Sequence, residues 1–143
     1  MNTDAVLARR LGAGLHRPAD AIASGDAPRP LGRSIHDEEE LARAADEGCD
    51  YVVAGPVFST TSKPGARGIG LDGLSRLVAA SALPLFAIGG IDRGRVRVVR
   101  ATGAHGVAVR SAILMAPDPE REAASICGEL TELDDDRRAG AEQ

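Results

Sequence analysis

The sequence predicts an α/β protein with a parallel sheet, because short apolar strands alternate along the chain with segments of helical period. Four runs rich in β-branched residues are strand candidates and a weaker one precedes them; in chain order the five are 12–16, 31–35, 51–55, 85–88 and 106–109. Parallel neighbours need a crossover connection, which a helix usually supplies. An open doubly wound sheet and a closed barrel both satisfy this pattern, and the periodicity does not choose between them.

Helix starts are marked by aspartates in front of three of the periodic segments, at Asp37, Asp72 and Asp92. A short acidic side chain there accepts hydrogen bonds from the first N–H groups and complements the helix dipole. Glycines suited to helix ends follow the first and third of these segments, at Gly48 and Gly103.

The length of 143 residues fits one domain, which we place at residues 1–130. A last helix is predicted from about 118 to about 130. The stretch 131–143 is charged and poor in apolar residues from about 134 onward, so it is expected to be a frayed, disordered tail.

The composition argues against several classes of partner. Net charge is −4 with both signs interspersed, so no broad basic surface is expected for nucleic acid or an anionic membrane. The longest apolar run, 79–91, is shorter than the roughly 20 residues that span a bilayer. We therefore expect a cytoplasmic protein, with Cys49 and Cys127 as small core residues of a reducing compartment.

Candidate binding groups follow the strands, since ligands bind outside the carboxyl ends of parallel strands. The longest of these loops, 55–70, contains hydroxyl groups and a lysine that suit phosphate, namely Ser59, Thr60, Thr61, Ser62 and Lys63. Loops of this length tend to be functional or disordered. An ordinary solvated loop has the same composition, so both interpretations stay open.

Two further loops favour a phosphate site. Gly89 and Gly90 directly follow a buried strand, so bare backbone N–H groups could approach an anion there. Arg110 and Ser111 follow the next strand. This pairing is typical of the phosphate site formed after the last two strands of a barrel, although a glycine pair alone is also explained by tight packing.

Among the histidines, His36 follows the strand candidate 31–35 at the predicted mouth of the site. An imidazole there is suited to acid-base chemistry near neutral pH, although an exposed histidine beside a helix start is the plainer alternative. His16 is a minor candidate. His105 precedes a strand, and no role is assigned to it.

The motifs, taken in order, resemble one family of enzymes, the thiamine phosphate synthases and their sister thiazole tautomerases (TenI). The resemblance covers roughly residues 14–130, and five stretches carry it: Leu31-Gly-Arg-Ser-Ile-His36, Asp50-Tyr-Val-Val-Ala-Gly-Pro-Val-Phe58, Thr60-Thr-Ser-Lys-Pro64, Ala87-Ile-Gly-Gly-Ile91 and Gly106-Val-Ala-Val-Arg-Ser-Ala-Ile113. Their shared order and spacing are far more specific than any one of them.

The resemblance implies a TIM-type (β/α) barrel, of which this chain provides about the last five of eight strands. It implies that a small thiazole phosphate is the ligand. The residues implied to bind substrate are Ser34, Thr60, Ser62, Lys63, Gly89, Gly90, Arg110 and Ser111.

Two places distinguish the sister enzymes. The Gly-Arg-Ser-Ile-His run ending at His36 is more similar to the tautomerase, which implies proton transfer by this histidine and no cofactor. The synthase would use Mg²⁺ and a Gly-Gln-x-Asp stretch, where this chain has His16-Arg-Pro-Ala-Asp20. The resemblance therefore favours the tautomerase, with the synthase as the alternative.

Only the later strands of such a barrel have counterparts here. A fragment of a longer barrel, a gene model that starts late and a degenerate barrel are all compatible with this pattern. A non-catalytic phosphate-binding module and a phosphosugar-binding barrel of another family are the competing functions. A homo-oligomer is left open, and an incomplete barrel is expected to expose two sheet edges and its interior.

Overall fold

A computed structural model of the chain describes residues 4–22, 26–60 and 67–141, and within them the strands form one five-stranded parallel sheet. The strands lie side by side in chain order: β1 (Leu15–Arg17), β2 (Leu31–Ile35), β3 (Tyr51–Ala54), β4 (Leu85–Ile88) and β5 (Gly106–Ala108). The predicted α/β fold with neighbouring parallel strands is confirmed.

The helices of the described residues are α1 (Ala5–Arg10), α2 (Glu38–Asp46), α3 (Gly70–Ala80), α4 (Arg93–Ala101), α5 (Ser111–Leu114) and α6 (Pro119–Ala141). Of these, α2, α3 and α4 connect successive strands from β2 to β5, whereas α1 precedes β1 and the last two follow β5. Asp37 caps α2 as predicted, because its side chain accepts from the Glu40 N–H at 2.9 Å. In the described ranges no helix is both long and apolar enough to cross a membrane.

The structure corrects several predicted details. Asp72 lies in the first turn of α3, where Ile69 occupies the N-cap position without a side-chain bond. Helix α6 continues to Ala141, well beyond the predicted end near residue 130. Charged residues of this segment form ion pairs, Asp134 with Arg100 and Asp135 with Arg138. Cys49 is buried as predicted, whereas Cys127 is exposed because it lies on the solvent side of α6.

One face of the sheet forms the hydrophobic core with the helices. Side chains alternate between the faces of a strand, and alternate residues of β2, β3 and β4 are buried beneath the helices, including Leu31, Ile35, Val52 and Leu85. These residues pack against Leu74 of α3 among others. The branched and small side chains of the core explain how the chain folds with only 2% aromatic residues.

A buried charge cluster lies on the same face. Arg33 of β2 is 0% exposed, and its Nη1 donates to both carboxylate oxygens of Glu47 at 2.9 and 2.7 Å. Its Nη2 donates to the carbonyls of Ala19 and Ala21, each at 2.7 Å. Arg17 also pairs with Glu47, at 3.1 Å. The loop after β1 is thereby fastened to the end of α2.

The opposite face, here called the inner face, starts with a layer of aromatic rings and glycines. It contains His16, Gly32, Tyr51, Phe86 and Gly106 from successive strands. The ring centroids of His16 and Tyr51 lie 5.8 Å apart, and Phe86 meets Tyr51 edge-on at 6.0 Å. A Cβ atom at Gly32 would lie 2.1 Å from Cζ of Tyr51. The tyrosine ring therefore occupies the space that the glycine leaves.

We predict that Gly32→Ala lowers the free energy of unfolding by roughly 1–3 kcal/mol, because the new methyl group must displace a ring packed on both sides. Urea unfolding followed by circular dichroism measures this change. The matched control is Gly128→Ala in α6, where an added Cβ meets nothing within 4 Å. The control is expected to gain about 0.5–1 kcal/mol from helix propensity. Equal stability of Gly32→Ala and wild type would contradict the close contact.

Candidate functional site

A cavity of about 900 Å³ opens at the carboxyl ends of the strands, directly above the aromatic and glycine layer. Its walls follow the alternation of the strands: Pro18, Ser34, Val53, Ile88 and Ala108 form a lower ring, and His36, Gly55, Gly90 and Arg110 an upper one. All of the predicted site residues within the described ranges line this cavity. The strand-end position expected from the sequence is therefore where the concave site lies.

The glycine pair after β4 is tightly enclosed. Both residues have left-handed backbone, with φ of +102° at Gly89 and +64° at Gly90. A Cβ at Gly89 would lie 2.6 Å from Cα of Pro56, and one at Gly90 would lie 2.9 Å from the carbonyl oxygen of Ser59. Tight packing, the alternative explanation given for the glycine pair, thus accounts for part of the need for glycine at these positions.

The loop after β3 is held against this pair by backbone hydrogen bonds. The N–H of Val57 donates to the carbonyl of Ile88 at 2.8 Å, and that of Phe58 to the carbonyl of Gly89 at 3.0 Å. Thr60 and Ser59 consequently reach the cavity wall. Ser62 and Lys63 lie outside the described residues, so their proposed contacts stay predictions.

Arg95 of α4 is a site residue that sequence reasoning missed. Its Nη1 donates to the carbonyl of Gly90 at 2.5 Å, and its guanidinium lies 4.6 Å from the centre of the Phe58 ring. Asp92 occupies the N-cap position of α4 without a side-chain cap bond, and its carboxylate lies 3.8 Å from Nε of Arg95. The arginine therefore braces the glycine turn and adds positive charge to the wall.

Arg110 and Ser111 line the same cavity, at the start of the short helix α5 that follows β5. The first N–H groups of a helix have no acceptor inside the helix. A short extra helix after the last barrel strand frequently completes a phosphate site with the loop of the preceding strand. The two predicted loops are thus brought to one cavity, in an arrangement that suits an anion.

His36 forms a local pair with Glu40, one helical turn further along the chain. Oε2 of Glu40 accepts from the backbone N–H of His36 at 2.7 Å and lies 2.9 Å from its Nδ1. A carboxylate only accepts, so this contact places a proton on Nδ1 and leaves Nε2 as the basic nitrogen. The His36 side chain is 40% exposed, consistent with a group at the mouth. Glu40 was not predicted as a site residue. Its position four residues after His36 is the signal in the sequence that could have identified the pair.

His16 contacts the cavity wall from below. Its Nε2 lies 2.9 Å from Oγ of Ser34, and its Nδ1 lies 3.3 Å from the Tyr51 hydroxyl. Burial lowers the pKa of His16 below its ordinary value and raises the pKa of Tyr51. Near neutral pH both rings are therefore uncharged, with His16 carrying one ring proton and Tyr51 its hydroxyl proton.

Carboxylates do not gather into a metal centre in the described residues. No group of three histidine, cysteine, aspartate or glutamate side chains there could hold an ion. Asp20 and Glu40 both line the cavity, but Glu40 is engaged with His36. These residues alone do not fit the Mg²⁺ that a synthase reaction implies.

Comparison with known proteins identifies the family. Residues 1–113 match the thiamine monophosphate synthase family. The chain belongs to this family. A thiamine-phosphate synthase of Salinibacter ruber is 45% identical over 123 residues, which are 82% of this chain and 54% of the relative. One from Thermus thermophilus is 42% identical over 127 residues, covering 84% of this chain and 61% of the relative.

Solved structures agree with the family and the fold. Thiamine phosphate pyrophosphorylase from Pyrococcus furiosus superposes with a TM-score of 0.81 at 30% identity, covering 92% of this chain and 66% of that structure. A 3-hexulose-6-phosphate synthase from Salmonella typhimurium, 20% identical, shares the fold with a TM-score of 0.68 over 89% of this chain and 66% of its own. The sheet is thus a TIM-barrel-type (β/α) arrangement, and this family member spans between half and two thirds of these relatives.

The lowered pKa of His16 predicts a pH-dependent stability. The unfolded state takes up a proton near pH 6.5, whereas the folded state does so only at lower pH. The stability that neutral His16 contributes is present above pH 6.5 and is lost as the pH falls through its folded pKa. Urea unfolding between pH 7.5 and 5 should therefore show wild type losing stability relative to His16→Gln. Parallel curves for the two proteins would contradict the burial of this ring.

Proposed function

We propose that the cavity binds a small thiazole phosphate and belongs to an enzyme that forms thiamine phosphate, by joining that thiazole to a pyrimidine pyrophosphate with release of pyrophosphate. The observation that carries the proposal is the convergence of the Gly90 turn and the α5 start on one cavity, in a chain of this family. The relatives named as synthases favour this reaction over the tautomerase that the sequence interpretation preferred.

The phosphate is assigned to the side of the cavity between Gly90 and Ser111. Backbone N–H groups at such turns attract anions, and Arg95 contributes positive charge beside the glycine pair. Val53, Ile88 and Ala108 offer an apolar floor suited to a flat ring. Lys63 is assigned to the departing pyrophosphate on sequence grounds, because a lysine ammonium neutralises developing negative charge.

The proposed reaction proceeds without a covalent bond between the substrate and any side chain. The thiazole nitrogen attacks the methylene carbon of the pyrimidine, the carbon–oxygen bond to pyrophosphate breaks, and its electron pair leaves with the pyrophosphate. The residues of this chain bind and orient the thiazole and stabilise the leaving charge. Orientation of two reactants supplies a large part of such a barrier reduction.

A thiazole tautomerase is the second candidate, favoured by the His36–Glu40 pair. Glu40 holds the proton of Nδ1, so Nε2 of His36 is free to accept and return a proton at the mouth of the cavity. A proton transfer within one ring would need this base and no metal. A binding module without turnover is the third candidate, since the chain covers 54% of one synthase and 61% of another.

Phosphate binding is tested by a pair of substitutions at one position. Aspartate and asparagine both adopt left-handed backbone more readily than other residues and have nearly the same shape. Each places the same Cβ atom against the Ser59 carbonyl, so the difference between them isolates charge. Gly90→Asp should bind thiazole phosphate more weakly than Gly90→Asn by about 2 kcal/mol, from repulsion at an anion site. Isothermal titration calorimetry measures both. Equal affinities in two folded variants would place the phosphate elsewhere.

The reaction is tested by comparing His36→Asn with Lys63→Ala. For a synthase, Lys63→Ala should be the damaging change and His36→Asn the mild one, in an assay of thiamine phosphate formation from both substrates with Mg²⁺. For a tautomerase, His36→Asn should lower thiazole isomerisation by roughly 10²- to 10⁴-fold, the usual loss of an acid-base group. Binding of thiazole phosphate without turnover in either assay would favour the module.

A further inference from the structure

We propose that His16 is a positioning residue that fixes the Ser34 hydroxyl as a hydrogen-bond donor toward the ligand in the cavity. Ser34 lines the lower ring of the cavity, and its Oγ lies 2.9 Å from Nε2 of His16. His16 itself lies one layer deeper, on the strand neighbouring that of Ser34. It acts through the serine rather than by contact with the ligand.

The direction of the hydrogen bonds follows from Tyr51. Its phenol group keeps its proton, and the acceptor within its reach among the described residues is Nδ1 of His16, at 3.3 Å. A neutral imidazole that accepts at Nδ1 carries its proton on Nε2. That N–H then donates to Oγ of Ser34, so the serine's own proton is left to point into the cavity.

The layer of glycines makes this chain of contacts possible. Tyr51 belongs to β3 and His16 to β1, so the phenol must cross β2 to reach the imidazole. It crosses at Gly32, where a Cβ atom would lie 2.5 Å from the tyrosine hydroxyl oxygen. A side chain at that position would separate the two rings. Gly32 and Tyr51 together therefore determine which ring nitrogen of His16 carries the proton.

A fixed donor selects ligands. A hydroxyl held in one orientation favours an acceptor atom on the bound ring at that point and disfavours a donor, because a donor would meet the serine proton. We assign this acceptor to the ring of the bound substrate. The assignment rests on the proposed function, because that function makes a thiazole phosphate the ligand of the cavity.

The orientation is measured first in the ligand-free full chain. Long-range proton–nitrogen NMR spectra of the imidazoles identify which ring nitrogen of His16 carries the proton, with His16→Gln providing the assignment. We expect the Nε2–H form at pH 7.5, and we expect Tyr51→Phe to increase the share of the Nδ1–H form. A wild-type ring with its proton on Nδ1 would overturn the inference, whatever the protein binds.

The coupling to the ligand is measured by calorimetry with thiamine phosphate. Ser34→Ala and His16→Phe should each weaken binding about five- to tenfold, the worth of one hydrogen bond. The double variant should be no weaker than Ser34→Ala alone, because His16 acts through the serine. His16→Gln should recover most of the affinity, since its amide N–H can replace the Nε2–H.

Two calorimetric outcomes would overturn the positioning role: losses that add in the double variant, and no recovery in His16→Gln. Either would mean that His16 serves only the packing of the inner layer. A wild-type chain that binds neither thiamine phosphate nor thiazole phosphate would count against the proposed function. The NMR measurement would then still decide the orientation of the serine.

Discussion

The register of the five short parallel strands is the constraint on which the rest of the molecule depends. Because side chains alternate along each strand, a slip of one residue would exchange the two faces of the sheet. It would move Ser34 from the cavity into the helix-covered core and turn the buried Arg33 toward the cavity. Core, inner layer and cavity wall are therefore determined together by one pattern of backbone hydrogen bonds.

The buried charge cluster links that register to the shape of the cavity. Desolvating a guanidinium is costly unless it is paired and hydrogen-bonded. Arg33 meets this condition at its two terminal nitrogens, through Glu47 and two backbone carbonyls, while its buried Nε has no partner among the described atoms. Those carbonyls belong to the loop after β1, which forms the cavity wall at Pro18 and Asp20. The buried Arg33 thus specifies the path of a loop, and the residues that pair with it lie far apart in the sequence.

Much of the fold was predictable because the signals were local. The strands β2 and β4 are short branched runs with clear boundaries, and Asp37 is a capping residue with negative charge behind it. The meeting of the glycine pair and Arg110 at one cavity was predictable, because parallel strands bring their carboxyl ends to one edge. Helices α1 and α5 were missed, since six and four residues are too few for a periodic signal.

The undetected features depend on contacts between distant segments. Arg95 of α4 contacts Phe58 in the loop after β3. The exposure of Cys127 depends on which side of α6 packs against the rest of the domain. The preference for a tautomerase came from the histidine of one short motif, whereas the synthase names belong to relatives matched over most of this chain. His16 was ranked low because its serine and tyrosine partners become neighbours only in the folded sheet.

The layer beneath the cavity also gives the molecule an optical property. The chain contains one tyrosine and no tryptophan, so its tyrosine emission comes from a single ring, that of Tyr51. This ring is part-buried between His16 and Phe86, one residue layer below the cavity floor. A fluorescence spectrum of the unlabelled protein therefore reports the environment of one known position next to the site, without any introduced dye.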